Sequence, residues 1–78
     1  MEKLLITGVA GFIAAHLARR FVAEGFKVVG VDDFSGGRKN NVPAGVDVVE
    51  GDLALPETIA KLPRDCRRIL HFMDVLPV

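Results

Sequence analysis

At 78 residues the chain holds at most one small domain, and with half of its residues hydrophobic and about a quarter charged it is composed like a folded chain. Ten basic residues balance ten acidic ones, which excludes nucleic acid and anionic membrane as main partners. One cysteine, Cys66, excludes an internal disulfide, and His16 and His71 have no Cys or His at ligand spacing, so no metal site is expected. A lone thiol suits a cytoplasmic chain.

The stretch from Leu4 to Ala18 has the length of a signal-peptide core, but Gly8, Gly11 and His16 interrupt it and it is too short for a membrane span. It divides instead into strand, turn and helix. Lys3 to Thr7 is a short run, apolar on both faces, which suits a strand of a parallel sheet. From Gly11 to Glu24, Ile13, Leu17 and Phe21 recur every fourth residue, with Ala14, Ala18 and Val22 alongside. That predicts a helix with one apolar face, stopped by Gly25. Lys27 to Val31 is a second buried-strand run ending in Asp32-Asp33. Phe34 to Gly45 is a loop by composition, with room for a short helical turn.

Val46 to Glu50 is a third strand, followed by Gly51-Asp52. Pro56 to Leu62 is long enough for two turns of helix, with Pro56 suited to the first turn. Arg68 to Met73 is a fourth strand. Strands alternating with helices build right-handed βαβ units and a parallel sheet. The predicted class is α/β: a three-layer Rossmann half-domain with a four-stranded parallel sheet, order 3-2-1-4, and flanking helices. A full domain of this type has further strands. Residues 1–78 are therefore expected to be part of such a domain.

The stretch Thr7-Gly8-Val9-Ala10-Gly11-Phe12-Ile13-Ala14 reads G-x-x-G-x-x-A, directly after a strand and opening a helix. Gly8 permits the tight turn out of the strand. Gly11 lets the backbone approach a pyrophosphate, and Ala14 keeps the helix close to the sheet. The helix N-terminus then offers free N–H groups and a positive dipole end to phosphates. No Gly-Lys-Ser/Thr follows, which excludes a Walker loop.

Asp32, at the end of the second strand, can accept hydrogen bonds from the adenosine ribose hydroxyls. The same carboxylate repels a 2′-phosphate and so favours NAD over NADP. Asp33 can share that role, while Arg38 and Lys39 downstream are the residues that would favour NADP. Asp52, after the third strand, can accept from an adenine amino group, with Leu53 packing on the ring. Taken alone, each of these is also an ordinary turn residue.

Together these residues resemble the extended short-chain dehydrogenase/reductase family, in its NAD-dependent epimerase/dehydratase branch. That branch begins T-G-G-A-G-F-I-G-S-H-L, and this chain has T-G-V-A-G-F-I-A-A-H-L. Asp32-Asp33-Phe34-Ser35-Gly36-Gly37-Arg38 is similar to its D-N-x-x-S-x-G loop, Gly51-Asp52-Leu53 to its G-D-L/I, and His71-Phe72 to part of its H-F-A-G. The resemblance runs to about Phe72. It implies backbone contacts from Phe12 and Ile13 to the cofactor phosphates. Asp32, Asp33, Phe34, Ser35, Gly36 and Gly37 would wrap the adenosine ribose, Asp52 and Leu53 would meet the adenine, and Phe72 would lie along the cofactor. It implies an N-terminal, NAD-binding portion of a nucleotide-sugar epimerase/dehydratase-type oxidoreductase.

The departures are Val9 and Ala14 in place of glycines, and Met73-Asp74 where the family has two small residues. A carboxylate at Asp74 would weaken pyrophosphate binding, and the tail to Val78 is unlike the family. The family's catalytic Ser/Thr and Tyr-x-x-x-Lys are missing, and the chain has no tyrosine. It is expected to be inactive alone, with no catalytic residue of its own. Two alternatives stand: a free-standing nucleotide-binding module that self-associates through an open fourth-strand edge, and a ligand-free remnant. His16 is read as a packing or surface residue, His71 as a strand-end residue and Cys66 as a structural thiol.

Overall fold

The computed structural model describes residues 2–36 and 38–72. Its elements in chain order are β1 (Lys3–Thr7), α1 (Phe12–Ala23), β2 (Lys27–Asp32), a 3-10 turn (Lys39–Asn41), β3 (Val46–Glu50), α2 (Pro56–Ala60) and β4 (Arg68–His71). The sheet has the order β3-β2-β1-β4. All pairings are parallel, with Lys3 beside Lys27, Val28 beside Val46 and Leu4 beside Arg68. Class, strand count and strand order are those the alternating pattern predicts. Among the described residues no helix is long and apolar enough to cross a membrane.

Strand alternation sends side chains to two faces, and each face is covered. On one, Leu4, Ile6 and Val28 meet Val9, Ala14 and Ala18, with Phe21, Val22 and Phe26 closing the edge. Phe21 and Phe26 stack edge to face, centroids 5.2 Å apart. On the other, Leu5, Val29 and Val31 meet Val49, Leu53, Leu62 and Cys66. These are the three layers of the fold. Both faces of β1 and β2 are buried, which is why their sequences are apolar without alternation.

The structure corrects three expectations. The buried face of α1 is Ala14, Ala15 and Ala18, while Ile13 is 63% exposed. Residues 13 and 14 lie about 100° apart around a helix. The stripe of large residues borders the contact face, and the alanines form it, so that α1 lies close to the sheet. Gly11 and Glu24 flank α1 as caps, and Gly25, at φ +93°, ends it. α2 stops at Ala60, short of Leu62. Leu62 precedes Pro63, which disfavours helical backbone at Leu62, and the turn closes by Leu62 N–H donating to Ile59 C=O at 3.1 Å. β4 ends at His71, and Met73 lies outside the described residues.

Candidate functional site

The site forms at the C-terminal ends of β1 and β2. β1 ends at Thr7 and the chain turns at Gly8, whose φ of +71° lies in the left-handed region that favours glycine. Gly8 N–H donates to Val31 C=O (2.8 Å) and Ala10 N–H to Asp32 Oδ2 (2.9 Å), so the turn folds over the end of β2. A methyl on Gly11 would lie 3.2 Å from the Gly8 carbonyl oxygen, tighter than ordinary contact. Gly11 then caps α1 with no side-chain hydrogen bond to the first turn. Helix N–H groups left without a cap are the donors an anion needs.

Asp32 is 6% exposed. Its second oxygen, Oδ1, accepts from Phe34 N–H at 2.7 Å. Two backbone amides therefore fix the carboxylate. Each oxygen has two acceptor sites and uses one on these bonds, so the group keeps acceptor capacity. Asp33 turns the other way: its Oδ1 accepts from the Ser35 amide (2.9 Å) and hydroxyl (2.8 Å). The Ser35 amide first, then its hydroxyl, holds the Asp33 carboxyl below the usual carboxylate range. Phe34, between them, has a φ of 60°, rare for a bulky residue. Its amide is held by Asp32, and the Lys39 ammonium lies 5.5 Å from its ring centroid.

Gly8, Gly11, Asp32, Asp33, Ser35, Gly36 and Phe72 line one cleft of about 320 Å³. Gly8, Gly11, Phe12, Ile13, Ala14 and Phe72 line a second of about 360 Å³, sharing the two glycines and Phe72. The exposed Ile13 is thus a cleft residue. Phe34 lines neither cleft; its amide donates to Asp32 and its ring faces Lys39. Asp52 and Leu53 line neither cleft: Asp52 Oδ1 accepts from Ala54 N–H (2.9 Å), and Leu53 packs on the second core layer. Gly37, Met73 and Asp74 lie outside the described residues.

Contacts between distant residues complete the site. Thr7 Oγ1 lies 2.7 Å from His71 Nδ1 and accepts from Phe72 N–H at 3.1 Å, which fixes Phe72 at the cleft. Asn41 Nδ2 donates to Ala10 C=O at 3.1 Å and straps the loop to the glycine turn. The sequence offered a signal for His71 as a strand-end residue, but none for these pairings. Lys39 pairs with Glu50 at 2.7 Å, and Arg38 is exposed. His16 is exposed on α1. Burial, then the Asp65 carboxylate, pushes the Cys66 thiol above its usual value, the reverse of an activated thiolate.

Comparison with known proteins agrees with this geometry. The family model described as "NAD dependent epimerase/dehydratase family" matches residues 4–75. UDP-glucose 4-epimerase of Azospirillum brasilense is 38% identical over 78 aligned residues, covering 97% of this chain and 22% of that protein. WbmH of Bordetella bronchiseptica, solved in complex with NAD+, superposes with a TM-score of 0.83 at 31% identity, over 97% of this chain and 27% of that one. UDP-glucose 4-epimerase of Thermus thermophilus, a complex with NAD, gives 0.79 at 34% identity, over 88% and 23%. The chain spans about a fifth of the length of the curated relatives with which it aligns most fully. With a family model across nearly all its residues and the glycine turn, acidic strand end and sheet order in place, the chain belongs to the NAD-dependent epimerase/dehydratase family.

Proposed function

We propose that the chain binds NAD through the glycine turn and Asp32, as the N-terminal portion of a nucleotide-sugar epimerase/dehydratase-type oxidoreductase. The observation that carries this is the Asp32 carboxylate. It is buried, fixed by two backbone amides, and lines a cleft together with Gly8 and Gly11. Ribose hydroxyls donate to such a group, and a 2′-phosphate is repelled by it. Phe12 and Ile13, in the first turn of α1, supply backbone N–H groups for the pyrophosphate. Ser35 and Gly36 border the ribose, and Phe72 lies along the cofactor.

Bound NAD supplies hydride acceptance and return at its nicotinamide ring. The chain's own residues bind and orient it. With no tyrosine they provide no Tyr-x-x-x-Lys acid–base pair, so the 78 residues alone bind without turnover. Calorimetric titration with NAD, beside NADP and beside Asp32→Ala, tests this. NAD is expected to bind more tightly than NADP, and Asp32→Ala to lose about tenfold or more, the size of a lost charge-assisted hydrogen bond. A folded chain that gives no heat with either cofactor overturns the reading.

A second reading concerns assembly. Among the described residues β4 lies at an edge of the sheet, and Ile69 on it is 63% exposed. Pairing of two copies along this edge covers both features. Light scattering that shows a monomer at every concentration ends that reading.

A further inference from the structure

The side chain of Val9 is completely buried. It lines neither cleft. It packs instead on β2 at Gly30: a methyl on Gly30 would lie 2.7 Å from both Val9 Cγ atoms and 2.8 Å from its Cβ. Real side chains essentially never approach so closely, so Gly30 is the space that Val9 fills. Strand alternation puts Val28, Gly30 and Asp32 on one face of β2. The same short turn meets this row twice, through the Val9 side chain on Gly30 and the Ala10 amide on Asp32. Gly8 and Val9 N–H groups both point at Val31 C=O, at 2.8 and 3.4 Å.

We infer that the Val9–Gly30 contact is the spacer that sets the height of the glycine turn above β2, and so aligns the Ala10 amide with the Asp32 carboxylate for the dinucleotide. Val9 and Gly30 are positioning residues, and their effect on binding rests on the NAD reading above. The direction of the response follows from the sheet. β2 is paired along its length with β1 and β3, so it resists displacement. The turn does the moving. Added bulk at residue 30 lifts Val9, draws Ala10 away from Asp32 and leaves the carboxylate with one of its two amides.

Three variants test this: Gly30→Ala, the double variant Val9→Ala/Gly30→Ala, and Leu4→Val, which trims the same core layer away from the turn. Two quantities are read: NAD affinity by calorimetry, and hydrogen exchange of the Ala10 amide relative to those of Leu5 and Val29. Gly30→Ala is expected to weaken NAD about tenfold and to speed Ala10 exchange alone, since a hydrogen bond to a charged group is lost. The double variant restores both, and Leu4→Val lowers Tm while leaving both unchanged. Should Gly30→Ala not fold, the double variant decides: folded with Ala10 protected supports the spacer, and unfolded or unprotected overturns it. A Gly30→Ala chain with Ala10 still protected also overturns it. If the parent chain binds no NAD, the cofactor reading fails, and Ala10 exchange still decides whether the contact sets the turn.

Discussion

The two middle strands and the two outer strands of this sheet are built differently. In β1, four of five residues are buried, and in β2, five of six, whereas neither β3 nor β4 buries any residue fully. The middle pair carries the apolar side chains of both layers, the glycine turn and Asp32. The outer pair adds hydrogen-bonded edges and, through β4, the position of Phe72. The glycine turn and Asp32 are thus anchored in the most buried part of the described sheet. Among the described residues, the side facing Phe72 rests on a strand paired with one neighbour, β1.

The largest expected contrast is between two isoleucines. Ile6→Ala, at a fully buried position, should cost about 2–5 kcal/mol, while Ile69→Ala, mostly exposed, should stay within about 0.5 kcal/mol. Urea denaturation measures both. Equal losses would mean that β4 is covered in solution, and the contrast between middle and outer strands would collapse.

A smaller effect isolates the join between the two regions. Thr7→Val keeps the shape of the β1 end but removes the hydroxyl that meets His71 and Phe72. About 1 kcal/mol of stability should go with it, the usual worth of such a bond. NMR shifts should concentrate at residues 70–72. Shifts spread evenly over β2 would show that the hydroxyl supports the middle of the sheet and not its edge.

The smallest effect is electrostatic and lies at the opposite end of β1. Lys3 Nζ meets both oxygens of Asp65, at 3.0 and 2.9 Å, and this bond is the main reason the Asp65 carboxyl lies below the usual carboxylate range. A carboxyl lowered on folding stabilises the fold above its unfolded value, and that contribution fades as pH falls through the lowered one. Wild type should therefore lose slightly more stability than Asp65→Asn between neutral and acid pH. The pair is exposed, so the difference should be shallow and shrink further in salt. Parallel pH curves for the two chains would remove Lys3–Asp65 as an anchor for β4.

Much of this was legible in the sequence. The four apolar runs, the helix between the glycines and the alternation that orders the sheet are local patterns, and they survive folding because tertiary packing agrees with them. Gly8, Gly11 and Asp32 were legible for the same reason: each answers a local demand at a strand end. Ile13 was misplaced because helical periodicity finds an apolar stripe without saying which side of it touches the sheet. The alanines beside it make the closer contact. Val9 read only as a departure from glycine, since its relation to Gly30 exists only once β1 and β2 are in register. The Thr7–His71 and Asn41–Ala10 contacts were invisible likewise, because each joins residues far apart in the chain.

The strand order also sets a sequence of events in time. β1 finds β2 by closing a short loop that holds only α1, but it finds β4 across nearly the whole chain, as the Thr7–His71 separation of 64 residues shows. The longer closure costs about 1 kcal/mol more in chain entropy, and β4 returns less burial for it. The β1–α1–β2 unit should therefore assemble first, with β4 docking onto a finished core. In stopped-flow refolding, Leu70→Ala, which trims the β4 side chain packed against the core, should then speed unfolding and leave the folding rate nearly unchanged, whereas Ile6→Ala should slow folding itself.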